Sequence, residues 1–383
     1  MFKGVQKGDR TSWDDIARRV YGTPERAGDI EKLNNNIGSG EILVPQEDEE
    51  TESGETGLRL ECGENVYKNF SEYILIDRIG AVKGAVLIFV VSDDEKYNFN
   101  LKDPVKLYSE EGLFLKGRIA NPKPHRNKKA RWIQVEIKSD AGVLLESDLP
   151  YPLEFMNLSR KQILTNIAGY YGIPIEFSDA PELDEIVTTE TGTTFTADIK
   201  EKCFNFMFRL CQSAGLLLHD TGAGLFVGRL DGETKEKINF IDGECIGIDE
   251  IYSEFKTDGL ARYYEVNSQY PTTDTATVQI PFPYPITKRF NSNDFNAANL
   301  ERVATLQACK EIGDAFKTYI TLNENKALKS GDFAIVKNED AFIYEETEFV
   351  IEQVIRGVDS TSLILTLPCA YTGVIPEKLP LCE

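Results

Sequence analysis

The chain of 383 residues holds two histidines, His125 and His219, and seven cysteines, Cys62, Cys203, Cys211, Cys245, Cys309, Cys369 and Cys382. A zinc site needs such side chains at short, fixed spacings. No cysteine pair is spaced Cys-x-x-Cys, and neither histidine stands at ligand spacing from a cysteine or an acid. His219 follows Leu216-Leu217-Leu218 and reads as a strand-end or turn residue, not a base. The chain contains no Gly-x-Ser-x-Gly, no phosphate-cradling glycine loop and no His-Glu-x-x-His, so hydrolase and nucleotide chemistry is not written in motif form. With 63 Asp and Glu, an acid pair for glycoside hydrolysis stays open by count alone, although no aromatic-flanked acid stands out. The expectation is a protein with no catalytic residue, no cofactor and no metal. The odd cysteine count, with Cys203 and Cys211 beside an apolar helical face, implies free thiols in a reducing compartment.

The net charge of −21 argues against a nucleic-acid partner and against anionic membrane surfaces, which both demand surplus Lys and Arg. No apolar run approaches the 18 or so residues of a membrane span, and no apolar leader stands at the N-terminus. The expected setting is folding in the cytoplasm.

The elements that must position everything else lie in the middle, in residues 157–230. A helix-to-strand unit is written twice. The first copy runs from Arg160 to Phe177 and the second from Lys202 to Leu218. Ile163, Leu164, Ile167 and Ala168 share one helical face in the first; Phe206, Met207, Leu210 and Cys211 share one in the second. Each helix stops at a glycine, Gly172 or Gly215, which takes the left-handed conformation at low cost. The linking stretch 186–196 reads as extended, and Gly222 to Gly224 as the turn of a hairpin.

Residues 58–156 read as short strands: 58–62, 85–92, 105–109, 113–119 and 132–138, with 73–79 either a strand or an edge helix. Between two of them, Pro122 to Arg131 is a basic loop holding Lys123, His125, Arg126, Lys128, Lys129 and Arg131. In so acidic a chain it is either a solvated loop or a patch that pairs with an acidic surface of a neighbouring subunit. Residues 231–298 carry further strands, followed by Tyr270 to Arg289, which the prolines mark as an extended loop. Residues 299–383 open on a helix with a Leu300, Val303, Ala304, Ala308, Ile312, Ala315 stripe. Four turn-bounded strands then suggest a second small barrel.

The N-terminal segment 1–46 reads as a βααβ module. Its Lys7-Gly8-Asp9, Trp13, Ile16-Ala17, Tyr21-Gly22, Asn34-Asn35, Ile37 and Gly40-Glu-Ile-Leu-Val-Pro45 resemble the LysM domain. That resemblance implies either glycan binding or protein docking through loops holding Gly8, Asp9, Arg10, Thr11 and Ile37. Residues 47–57, rich in Glu and free of bases, read as a flexible acidic linker.

The fold class expected is thus α+β and β-rich: the LysM-like module, then two small β-barrels flanking the central doubled subdomain. Ile163-Leu-Thr-Asn-Ile-Ala168, Phe206 to Leu210, Gly215-Leu-Leu-Leu218, Gly222-Ala-Gly-Leu-Phe226, Leu300 to Phe316, and Leu328-Lys-Ser-Gly-Asp332 leading to Val350-Ile-Glu-Gln-Val354 stand in one order. This order resembles the baseplate hub proteins of contractile-tailed phages, the Mu-like hub and late-control D family. The resemblance covers roughly residues 60–375. It implies a homotrimeric ring that matches a sixfold tail tube to a threefold central spike, with tail tube or tube-initiator proteins, tape measure and baseplate wedge proteins as further partners. It implies a virion location, or the same job in a phage-derived injection machine or bacteriocin. The alternative reading is a peptidoglycan-binding or peptidoglycan-degrading tail protein acting through the LysM-like segment.

Overall fold

A computed structural model describes residues 2–7, 40–45 and 58–380, apart from 69, 92–98, 100, 102, 127–129, 150–154, 156, 188–196, 198–199, 231–236, 242–246, 269–273, 293–296 and 325. Two compact units divide the chain, Met1–Leu58 and Arg59–Glu383. In the first, β1 (Phe2–Lys7) and β2 (Gly40–Pro45) pair antiparallel, from Phe2↔Pro45 to Lys7↔Gly40. The two helices read between them, and the tether that follows, lie outside the described residues.

The second unit begins with β3 (Arg59–Cys62), β4 (Asn65–Tyr67), β5 (Glu72–Arg78), β6 (Gly84–Val91), β7 (Pro104–Ser109), β8 (Gly112–Arg126) and β9 (Arg131–Ser139). Residues 72–78 are a strand and not a helix, because Tyr73, Leu75 and Asp77 alternate inward. The apolar run of β6 is buried on one face only, at Ala85, Leu87, Phe89 and Val91. A short helix, α1 (Gly142–Glu146), leads to the central subdomain. There α2 (Arg160–Tyr170) feeds β10 (Ile175–Phe177), and α3 (Cys203–Gln212) feeds β11 (Leu217–Asp220) and β12 (Leu225–Gly228). Both helices end as the sequence implies. Ile173 N–H donates to Ala168 O at 2.9 Å and Leu216 N–H to Cys211 O at 3.0 Å, across Gly172 and Gly215, each with φ +68°. The two buried faces meet in one core that includes Ile163, Leu164, Ile167, Phe206, Met207 and Leu210.

The rest comprises β13 (Ile238–Ile241), β14 (Ile248–Phe255), β15 (Tyr263–Ser268), β16 (Thr275–Gln279), β17 (Thr287–Ser292), α4 (Ala297–Ala315), β18 (Phe316–Leu322), β19 (Phe333–Asn338), β20 (Ile343–Arg356), β21 (Thr361–Thr366) and α5 (Cys369–Thr372). The stripe of α4 is buried at Leu300, Ala304, Ala308, Ile312 and Ala315. The described part of the expected extended loop Tyr270 to Arg289, residues 274–289, is instead largely strand. β16 and β17 flank β15 in a three-stranded sheet. The alternating Thr275-Ala-Thr-Val-Gln279 forms a strand, while Pro281, Pro283 and Pro285 fall in the connection, where Ile280 and Phe282 are buried.

Thirteen strands form one hydrogen-bonded ladder, in the order β14-β18-β21-β20-β5-β6-β9-β8-β7-β3-β4, with β19 and then β13 joined to β20. The two β regions are therefore directly paired. β5 and β20 run antiparallel from Leu75↔Arg356 to Arg78↔Gln353. The two β regions therefore do not only flank residues 157–230 but also pair with each other. Hydrophobic alternation fixes which face of a strand is buried, not which strand lies beside it. A small cluster of Ile79, Leu217, Phe333 and Val350 packs where the first region, the centre and the second region meet.

Candidate assembly interface

Among the described residues, no group of three or more His, Cys, Asp or Glu is placed to hold a metal ion. Cys62, Cys203, Cys211, Cys309 and Cys369 are free and buried. Burial pushes the Cys211 thiol up to about 12, so at neutral pH it is a small apolar side chain and not a nucleophile. His125 stacks on Trp132, ring centroids 5.1 Å apart. No helix among the described residues is long and apolar enough to cross a membrane.

The buried chemistry of the chain is a set of carboxylates holding regions together. Asp77 on β5 accepts from Ser330 Oγ at 2.8 Å and pairs with Lys83 Nζ at 3.3 Å. Glu352 on β20 accepts from Arg78 at 3.0 Å and Lys317 at 2.8 Å. Glu111 accepts from Arg356 at 2.6 Å and pairs with Lys329 at 3.2 Å. Each of these links the first β region to the second. Charge-assisted bonds in this low-dielectric setting are directional and strong, and removing one partner strands the other. Asp220, at the end of β11, accepts from Lys83 N–H at 2.8 Å, Gly222 N–H at 2.7 Å and Ser139 Oγ–H. Burial raises its carboxyl above the ordinary range, opposed by those donors. Arg160, buried at the start of α2, donates to Leu210 O at 3.3 Å, Glu182 O at 2.9 Å and Glu185 at 2.7 Å. Arg302 of α4 reaches the same Glu185 at 2.9 Å. Burial works against ionised Glu185, but the two guanidinium groups outweigh it and hold the carboxyl below its ordinary range. Together these bonds tie the two β regions and the centre to one another.

The basic segment is not a loop. Lys123 and Arg126 lie on β8 and Arg131 on β9, in a hairpin that pairs to Arg126↔Arg131. Among the described residues, β7 pairs with β8 only from Pro104↔Arg118 to Ser109↔Gly112, and Pro122 and Pro124 lie beyond that stretch, opposite Val135 and Ile133 of β9. Lys123 binds Glu136 at 2.5 Å, which lowers that carboxyl's pKa. Lys128 and Lys129 lie outside the described residues, as do Gly8, Asp9, Arg10, Thr11 and Ile37.

A second surface escaped the sequence reading. Around the β19–β20 turn a groove of about 1010 Å³ is lined by Phe342, Tyr344, Glu345, Glu346, Val374 and Pro376, among others. Phe342 and Tyr344 are 56% and 57% exposed. Phe342 sits at φ +58°, a left-handed conformation that a bulky residue rarely adopts. The signal available in the sequence was two aromatics set among acids in Glu339-Asp-Ala-Phe-Ile-Tyr-Glu-Glu346.

No family model matches the chain, and no curated protein matches it. Solved structures do. A 43 kDa tail protein of prophage MuSo2 from Shewanella oneidensis aligns with a TM-score of 0.70 at 15% identity, over 82% of this chain and 98% of that one. A tail protein from Neisseria meningitidis MC58 aligns with a TM-score of 0.69 at 14% identity, over 83% and 98%. An E. coli type VI secretion component, described as structurally similar to T4 bacteriophage tail proteins, aligns with a TM-score of 0.55 at 11% identity, over 84% and 80%. The chain thus has the fold of prophage tail proteins.

Proposed function

We propose that the chain is a structural hub of a contractile tail baseplate. Three copies form a ring in which the two β regions of each subunit act as near-equivalent barrels, so that six barrels meet a sixfold tail tube and three subunits meet a threefold central spike. The observation that carries this reading is the β5–β20 pairing with its carboxylate braces, which makes the two β regions one rigid body within the fold of prophage tail proteins. The role is structural and not catalytic. Its partners are the spike, tube or tube-initiator proteins, and tape measure or wedge proteins. Its place is the virion tail, after assembly in the host cytoplasm, or the equivalent position in an injection machine. Residues 1–46 serve as an added adaptor on the 47–57 tether.

Sedimentation equilibrium of the full chain tests the ring. The expected mass is three times the monomer's 43.0 kDa, alone or with the spike protein. A stable monomer under both conditions overturns it.

A second reading draws on the antiparallel pairing of β1 with β2, the pairing a βααβ LysM-like module requires. Here residues 1–46 bind peptidoglycan. Retention on purified peptidoglycan that is lost when 1–46 are deleted supports it; equal retention removes it.

A further inference from the structure

Two of the buried thiols meet. Cys309 lies on α4 and Cys369 opens α5, 60 residues later, and both belong to the core that α4 shares with the second β region. Small residues let the two helices approach closely. A Cβ on Gly313 would stand 2.4 Å from the Ala370 Cβ, so a side chain there would push α5 away. Thr366 Oγ1 donates to Gly313 O at 2.8 Å beside that contact. One helical turn earlier on α4, the Cys369 thiol lies 3.7 Å from Cys309 O, and the Cys309 thiol is within hydrogen-bond reach of it.

The other described cysteines stand elsewhere. Cys203 bonds Asp148 O at 3.4 Å and Tyr171 Oη at 3.7 Å, Cys211 lies in the central core, and Cys62 lies on β3. A buried cysteine by itself is a small apolar side chain. Two whose thiols touch across a tertiary contact are also the two halves of a bond. Access comes from one side: among the described residues, Cys369 and not Cys309 is part of the wall of the groove of about 1010 Å³.

We propose that Cys309 and Cys369 are an oxidative modification site, at which a small peroxide entering the groove converts the two thiols to a disulfide that ties α5 to α4. The Cys369 sulfur gives up its proton and attacks one peroxide oxygen. An S–O bond forms, the O–O bond breaks, and the hydroxide released takes that proton as water. The Cys309 sulfur then attacks the Cys369 sulfur. The S–S bond forms, the S–O bond breaks, and the second hydroxide leaves with the Cys309 proton as a second water. Two thiols are oxidised and one peroxide is reduced. The bond with Cys309, and then burial, push the Cys369 thiol well above its ordinary value, so the first step is slow and the pair stays reduced under brief exposure. Once formed, the bond closes a loop of 60 residues and pins the segment after it, where Thr372, Val374 and Pro376 line the groove. The inference stands apart from the hub reading.

The test starts from the fully reduced full chain, treated with hydrogen peroxide until reaction stops, then denatured, alkylated and digested without reductant. Mass spectrometry is expected to find a peptide pair joined through Cys309 and Cys369, lighter by two hydrogens than its separate halves. The treated chain is expected to melt about 5 °C higher, a rise that reductant reverses. Cys309→Ala and Cys369→Ala should each remove both the linked peptide and the rise, while Cys211→Ala keeps them. The wild-type peptide map decides the matter even where an alanine variant fails to fold. Both thiols recovered alkylated overturns the proposal. So does Cys369 recovered as a sulfinic or sulfonic acid beside alkylated Cys309, or Cys309 joined to Cys203 or Cys211 as often as to Cys369. A linked pair with no rise in melting temperature overturns the tie between α5 and α4.

Discussion

In the first helix-to-strand copy, α2 begins on a reciprocal cap. Ser159 Oγ accepts from Gln162 N–H at 3.3 Å, and Gln162 Oε1 accepts from Ser159 N–H at 2.9 Å. In the second copy, α3 begins at Lys202 with no side-chain cap, but buries Cys203, Phe204, Phe206, Met207, Leu210 and Cys211. Both helices bury an apolar face, Ile163, Leu164, Ile167 and Ala168 in the first, but only the first adds a side-chain cap. The strands diverge as well. β10 runs parallel to β12 on one side, and β11 runs antiparallel to it on the other. A sequence written twice has thus become two unlike halves of one sheet. Repetition in sequence supplied two interchangeable pieces, and position in the fold gave each its own energetics.

Paired substitutions sharpen this contrast. Phe206→Ala is expected to cost about 3–5 kcal/mol and its counterpart Ile163→Ala less, within about 2–5 kcal/mol, by chemical denaturation. A larger loss at Ile163 would reverse the ranking of the two copies. Next come the helix stops. A Cβ on Gly215 meets Leu306 at 3.1 Å, whereas one on Gly172 meets nothing within 4 Å. Gly172→Ala therefore carries only the left-handed backbone cost of about 1 kcal/mol, and Gly215→Ala about 2 kcal/mol. Equal melting temperatures for the two would remove Leu306 from the account. Smaller again, Ser159→Ala should lose about 1 kcal/mol of its cap, while Lys202→Ala stays within about 0.5 kcal/mol.

The smallest contrast is in pH. Asp220 has a raised carboxyl pKa in the fold, so its favourable protonated contribution is complete below its unfolded value and is lost as pH rises through the folded one. Glu185 is lowered, so its contribution is present above the unfolded value and is lost as pH falls through the folded one. Melting curves across mildly acidic pH should show the deficit of Glu185→Gln shrinking on acidification. The stability gap between wild type and Asp220→Asn should move the other way, with the wild type losing ground as pH rises from the acid side.

Much of this fold could be read from local pattern. The stripe in α4 and the Gly172 and Gly215 stops depend on neighbours a few residues apart, and all are present. What failed depends on distant or edge context. The basic stretch 122–131 reads as a loop, because the sequence does not show that β8 runs on past β7 to pair with β9 as far as Arg126↔Arg131. Prolines hid β16 and β17, whose partner β15 covers both. The acidic groove was missed because Phe342 and Tyr344 look like core until their exposure is known.

The β5–β20 junction has a consequence in time as well as in space. Arg78 and Glu352, which it joins, lie 274 residues apart. Because β20 is made so long after β5, the seam can form only late in synthesis. As the chain leaves the ribosome, β5 emerges long before β20 exists to cover its edge. Every nascent or prematurely ended chain then carries an open strand edge of the kind that recruits wrong partners. Only a chain synthesised through Arg356 can seal it, so the same rungs that stiffen the finished protein also separate complete chains from incomplete ones.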